Sequence, residues 1–264
     1  MTVDGNGLQT TVRSLEILEA INSHGSVRAD TLVAELGVSR SSVHNHLATL
    51  REREYVVKKG DRYYLGLKLY HLGEQAKTRR LSYDVIGEHV ARVANEIDME
   101  VDFSVEEYGR VVVIFDEVGH RNRRGFQLGR YMPIHACASG KAILAAYSPE
   151  RVASILDRRS LTRVTDNTIV DREALCDDLR TTRERGYSIN DEESNSGIQA
   201  VGTAVREPDG TVAGGLSIAG PTYNYPPYDQ IAETLLSAAD ELEREIETRW
   251  QREFQQPDRR DDGS

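Results

Sequence analysis

The chain has only two cysteines in 264 residues, Cys137 and Cys176, with no CxxC, so neither a disulfide scaffold nor a zinc site is indicated and reduced thiols are expected. No continuous apolar run approaches the roughly 20 residues of a membrane span, and the start MTVDGNGLQT lacks the apolar centre of a signal peptide. A cytoplasmic protein with no membrane partner is expected. Catalytic motifs are missing too. Gly140-Lys141 is no phosphate-binding loop, because His135 stands where its first Gly would be and Ala142 where Ser or Thr is needed. Ser139 is no nucleophile elbow, since Cys137 replaces the first Gly of GxSxG. A Cys137/His135 dyad is disfavoured because sequence neighbours rarely align for proton transfer. The acidic residues fall on helix faces or in turns without a convergent acid, base or nucleophile set. Neither an enzyme nor a catalytic, metal or cofactor site is expected.

What is present begins with Ser39 to Glu54, SRSSVHNHLATLRERE, whose polar residues crowd the front while Val43, Leu47 and Leu50 recur at helical spacing. Ser39 reads as an N-cap, leaving Arg40, Ser41, Ser42, His44 and Asn45 on the exposed first turns, where a recognition helix meets base edges. An ordinary amphipathic surface helix has the same local pattern; the context decides between them. Thr10 to Ser23 reads as a packing helix with Val12, Leu15, Leu18 and Ile21 on one face. Arg28 to Leu36 is a second helix broken by Gly37, and two short helices meeting at a Gly-containing turn form a helix-turn-helix. Tyr55 to Leu65 then gives two short β-prone runs around Gly60-Asp61, a wing with Lys58, Lys59 and Arg62 at its tip for phosphates or a minor groove.

Charge agrees with this division. Residues 1–72 carry 9 Lys+Arg against 8 Asp+Glu, while the net charge of the whole chain is -10, so only the front could tolerate a polyanion. Of the 33 basic residues, 28 are Arg, which with abundant Asp and Glu resembles salt-adapted haloarchaeal composition. Phosphate contacts would then be heavily screened, and recognition would lean on base contacts and dimer geometry.

Further along, Leu81 to Ile97 is an amphipathic helix suited to connect two domains. Val101–Val105 and Arg110–Val118 read as strands around Glu107-Tyr108-Gly109. In Tyr131–Ala145, YMPIHACASGKAILA, Pro133 ends an extended run and small residues open a helix. Ala136, Cys137, Ala138 and Ser139 at that helix start would let a small anion approach backbone N–H groups; a tightly packed helix entry with no ligand reads equally well. Asp171–Arg185 is a helix ended by Gly186, Ile198–Val205 and Thr211–Ala219 are strands about Pro208-Asp209-Gly210, and Tyr228–Trp250 is a long final helix.

The runs TTVRSLEILEAI, LGVSRSSVHNHLATLREREYV and RYYLGLKLYHLG, with Leu65-Gly66 and Leu72-Gly73 after the wing, resemble the N-terminal domain of the IclR family of transcription regulators. The PIHACASGKAILA stretch, Gly186-Tyr187-Ser188, Asp191-Glu192-Glu193, Gly197–Gly202 and Gly214–Pro221 resemble its GAF-like effector domain. The resemblance implies an α/β multidomain protein: a winged helix-turn-helix over 1–76, a linker helix over 77–98 that also helps dimerise, and an effector domain with a mostly antiparallel sheet over 99–254; residues 255–264 read by themselves as a disordered acidic tail. It places Arg40, Ser41, Ser42 and Asn45 against DNA, and Asn190, Ala200, Ser217 and Ala219 around an effector pocket with the helix start. At 190, 200 and 219 this chain departs from the commonest residues (Asp, Cys and Ser) and loses hydrogen-bonding groups. Arg121, Arg123 and Arg124 form a basic loop at positions that line the pocket in some relatives; Arg121 or Arg124 would be the counter-charge for a small anionic metabolite such as a sugar acid. The function expected is DNA binding by a homodimer or dimer of dimers at a palindromic operator, modulated by that effector. The alternative is a metabolite-binding protein that uses its winged helix only to dimerise.

Overall fold

The computed structural model describes residues 7–77, 82–119 and 128–254, and the chain divides into two compact units, Met1–Arg79 and Arg80–Ser264. The first unit holds α1 (Gln9–His24), α2 (Ala29–Leu36) and α3 (Arg40–Glu52) against a small antiparallel sheet. Its strands β1 (Val27–Arg28), β2 (Val56–Lys59) and β3 (Arg62–Leu65) run in the order β1-β3-β2. Gly37 closes α2 at φ 62, the left-handed conformation that glycine adopts without steric cost. Ser39 follows and caps α3 as expected, its hydroxyl accepting from Ser42 N at 3.1 Å; such a cap contributes about 1 kcal/mol.

Val43, Leu47 and Leu50 of α3 are buried against Leu32, Val56, Tyr63 and α1. The α1 face differs from the one expected. Leu15 is 54% exposed, and the buried residues are Ile17, Ala20 and Ile21. Residues spaced strictly by three rotate by about 60° per step around a helix of 3.6 residues per turn, so the row through Val12 and Leu15 drifts off the core, whereas 17, 20 and 21 stay on it. A further helix, α4 (Lys68–Lys77), was not expected; it buries none of its residues, and Leu67 and Tyr70 are 86% and 68% exposed.

The second unit is built on a six-stranded sheet of order β6-β5-β4-β9-β8-β7, antiparallel at every pairing. The strands are β4 (Glu100–Glu107), β5 (Arg110–Val118), β6 (Tyr131–Pro133), β7 (Ser188–Asp191), β8 (Ile198–Arg206) and β9 (Val212–Pro221). On one face Val101, Phe103, Val201, Leu216 and Ile218 pack with α5 (Tyr83–Ile97) and α9 (Tyr228–Phe254). Ile86, Val90 and Val93 of α5 and Ile231, Leu235, Ala238, Leu242 and Ile246 of α9 are buried there. The helix expected as a linker is therefore a wall of this core.

The opposite face carries α6 (Ala138–Ala146), α7 (Pro149–Arg158) and α8 (Arg172–Arg185), whose Ile143, Leu144, Val152, Ile155, Leu175 and Leu179 join Val111 and Val113. Asp171 caps α8 and Gly186 ends it, and the β8–β9 hairpin turns at Pro208-Asp209-Gly210 with Gly210 N donating to Glu207 O. β4, β5, β8, β9, α8 and α9 lie where the sequence put them, and β6 is the extended run that Pro133 ends; α7 and the short edge strand β7 were not expected, although Ser148 caps α7, Pro149 opens it, and Val152 and Ile155 are buried three apart. The tail over 255–264 lies outside the described residues.

Candidate DNA interface and effector site

In the first unit, burial of Val43, Leu47 and Leu50 turns the opposite side of α3 outward. Ser39, Arg40, Ser41, His44 and Asn45 are exposed and Ser42 is half-buried. Arg40 is engaged: its Nε donates to Asp30 Oδ1 at 3.1 Å and its Nη2 contacts the same oxygen. His46 lies in the polar run but serves the core, sharing a 2.8 Å hydrogen bond between its Nδ1 and Ser14 Oγ that ties α3 to α1. At the wing, Lys58 stands 5.3 Å over the Tyr63 ring and Lys59 5.9 Å over Tyr64, so both ammonium groups are steadied on aromatic faces. Lys59 and Arg62 face each other directly across the hairpin. Like charges in that position cost stability, a cost that a polyanion would offset.

In the second unit, the register collects the expected effector residues on the α6 side of the sheet. Asn190 pairs with Ala200 and Ala200 with Ala219, while Ser217 stands two residues along β9, opposite Gly202. Ala138 completes an apolar patch with Ala200 and Ala219. The helix start itself is packed, not open: Ala136, Cys137, Ala138 and Ser139 are all buried. A Cβ on Gly202 would lie 2.5 Å from Ala138 C, and one on Gly215 would lie 2.6 Å from Ser139 O. Small residues on both sides thus serve close approach of α6 to β8 and β9.

Asn190 is also occupied, since its Oδ1 accepts from Glu193 N (2.8 Å) and Ser194 N (3.2 Å) and its Nδ2 donates to Ser194 Oγ (2.8 Å). Burial pushes the Cys137 thiol up to about 12, and His135 Nε2 lies 3.1 Å from Thr162 O, so the pair forms no nucleophile and base. Arg121, Arg123 and Arg124 lie outside the described residues.

Two buried features escaped the sequence. Asp102, 3% exposed, pairs with Ser217 on β9 and accepts from Ser217 Oγ and, at 2.8 Å, from Ser104 Oγ. Burial pushes its carboxyl up to about 6 against those hydrogen bonds. Asp116, its partner across β4–β5, is pushed up to about 7 by burial and then by the charges of Glu100, Asp102 and Glu117; its Oδ1 is buried without a hydrogen bond. The second feature is Lys141, 1% exposed, whose Nζ donates to Glu193 Oε1 at 2.5 Å and lies 3.1 Å from Asp178 Oδ2. It ties α6 to the loop that Asn190 organises. An alternation of Asp and Ser in β4 was the local signal for Asp102; Lys141 had none, its partners being 37 and 52 residues away.

Among the described residues no helix is long and apolar enough to cross a membrane, and no group of His, Cys, Asp and Glu could hold a metal ion.

Residues 10–60 match the IclR helix-turn-helix domain and residues 83–244 match the bacterial transcriptional regulator IclR C-terminal domain. A probable HTH-type transcriptional regulator ArcR from Halobacterium salinarum is 27% identical over 91% of this chain and 95% of its own length. The HTH-type transcriptional regulator Rv1719 from Mycobacterium tuberculosis is 34% identical over 76% of this chain and 78% of its own. An IclR homolog from Microbacterium hydrocarbonoxydans, solved as a complex with 4-hydroxybenzoate, shares the fold with a TM-score of 0.78 at 21% identity, covering 90% of this chain and 99% of that one. The chain is a member of the IclR family of DNA-binding transcriptional regulators.

Proposed function

We propose that this regulator, working in the cytoplasm as a homodimer or dimer of dimers and without enzymatic activity, reads a palindromic operator with α3 and its wing. Arg40, Ser41, Ser42, His44 and Asn45 meet base edges, with Ser39 at the helix start, and Lys58, Lys59 and Arg62 meet phosphates or the minor groove. The observation that carries this is the polar front of α3, turned outward by burial of Val43, Leu47 and Leu50 beside a hairpin tip that sets Lys59 against Arg62. The exposed Leu67, Tyr70 and Leu72 support a symmetric assembly. Arg40→Ala and Asn45→Ala, titrated by fluorescence anisotropy against a duplex that the wild-type protein selects from a random pool, should each lose about 1–3 kcal/mol of specific binding. Their thermal midpoints should match the wild type, because both side chains are exposed. Unchanged affinity in both variants would remove α3 as the reader.

The effector is a small metabolite held on the α6 side of the sheet, over Ala200, Ser217 and Ala219, and its occupancy shifts how two recognition helices meet their half-sites; a ligand can do so only through its differential affinity for the two arrangements. Asp102 beside Ser217 supplies an acceptor there, which suits a ligand hydroxyl or amine. A carboxylate at the ligand's other end would find its counter-charge in Arg121 or Arg124. A hydroxylated carboxylate meets both demands, the class to which the 4-hydroxybenzoate of the Microbacterium homolog belongs. Calorimetric titration of hydroxy acids should give heat with the wild type that Asp102→Asn weakens at least tenfold; equal affinity would remove Asp102 from the site.

A further inference from the structure

We propose that Asp30 is a positioning residue for Arg40, raising discrimination between operator and random DNA while lowering affinity for DNA in general. This rests on α3 being the recognition helix. Asp30 stands in the first turn of α2 and Arg40 is the first residue of α3, so the pair bridges the helix-turn-helix at its outer surface. Arg40 offers its Nε and one Nη2 hydrogen to Asp30 Oδ1. A guanidinium has five N–H donors in a fixed fork. The two used lie on one edge, which leaves the Nη1/Nη2 edge complete, and that edge makes the two parallel hydrogen bonds to guanine O6 and N7.

Stability gives no reason for the pair. Both side chains are 69% exposed, and an ion pair so exposed contributes little. Nor does general attraction to DNA, because a carboxylate beside a recognition surface repels every phosphate and the front of the chain has almost no positive charge to spare. The geometry does supply a reason. A long side chain held in one orientation before binding loses less freedom when it meets its base. That gain exists only at a sequence offering the matching acceptors, whereas the repulsion acts at all sequences, so the pair trades affinity for selectivity.

The test uses the full chain at one fixed salt concentration, with anisotropy titrations against two probes: a duplex selected by the wild-type protein from a random pool, and a shuffled duplex of the same composition. Asp30→Asn should bind the shuffled duplex about threefold more tightly, and its selected-to-shuffled ratio should fall about five- to tenfold. Arg40→Lys, which keeps the charge but loses the fork, should lower the ratio similarly without tightening the shuffled duplex. Asp30→Asn in an Arg40→Ala background should leave the ratio unchanged, because the two residues act as one unit. An Asp30→Asn protein that binds both duplexes more tightly by the same factor would overturn the proposal and leave Asp30 as background charge. A wild-type protein that selects no duplex from the pool would instead overturn the reading of α3, and the proposal with it.

Discussion

Asp102 is a carboxyl buried within the sheet of the second unit, held by two serine hydroxyls. A carboxyl that burial pushes from 3.8 to about 6 is held uncharged below that pH in the folded chain, while the unfolded chain ionises it near its ordinary value. The folded-state value is the higher one, so the group's contribution to stability is fully present below about pH 4 and is lost as the pH rises through about 6. Between pH 4.5 and 7.5 the loss is about 2 kcal/mol. Asp102→Asn cannot titrate; its amide oxygen can accept from one of the two serines that donate to separate carboxylate oxygens, and its amide nitrogen then donates to the other serine's hydroxyl oxygen. Urea unfolding at the two pH values should therefore show a drop smaller by about that amount in the variant than in the wild type. Equal drops would mean that water reaches the carboxyl. The same change separates effector chemistry from stability, because any affinity lost at pH 7.5 cannot come from a protein that is there as stable as the wild type or more so.

At the scale of elements, the wing's return is fixed by one close approach. Gly66 N donates to Tyr55 O at 2.8 Å, and a Cβ at position 66 would lie 2.2 Å from Glu54 O, a backbone atom that cannot swing aside. Gly66→Ala should cost about 1–3 kcal/mol in the first unit by overpacking, read as a lower urea midpoint for the loss of α1–α3 helicity. An unchanged midpoint would show that the wing shifts freely. This contact explains why the Leu65-Gly66 pair was informative in the sequence: the glycine answers a steric demand made by Glu54, twelve residues back. Elements of that kind were legible throughout. Ser39 and Asp171 cap, Gly37 and Gly186 terminate, and the α9 apolar row recurs at helical spacing, all within a few residues of where each acts. The unexpected element, α4, buries none of its residues, although Leu69 and Leu72 stand three apart in it. The proposed effector face was legible only as residues, since Asp102 meets Ser217 across 115 positions and Lys141 meets Glu193 across 52. Pairings that depend on register leave no local trace.

For the whole molecule, charge is the governing quantity. The net charge is -10, and residues 73–264 carry 35 Asp+Glu against 24 Lys+Arg while the first 72 residues are nearly balanced. Most of the repulsion therefore falls within the effector unit. The surface ion pairs there, such as Arg172–Asp157 and Arg180–Asp177, each offset little of it, because exposed pairs contribute at most about 1 kcal/mol. Salt screens both the pairs and the repulsion, and with acids in such excess the repulsion is the larger sum. The Debye length falls from about 10 Å at 0.1 M to about 3 Å at 1 M, so repulsion between separated surface carboxylates fades over this range. Raising NaCl from 0.1 to 2 M at pH 7.5 should lift the thermal midpoint of the effector unit by roughly 5 °C or more, taking about 2–4 °C per kcal/mol for a unit of this size. Salt also strengthens apolar burial whatever the charge, and the same titration near pH 5.3, where the net charge vanishes, isolates that part. A gain at pH 7.5 clearly above the gain at pH 5.3 assigns the salt-dependent gain to relief of acidic repulsion. Equal gains would mean that the acidic, arginine-rich composition does not set this protein's stability, and that its DNA binding must be understood without a saline interior.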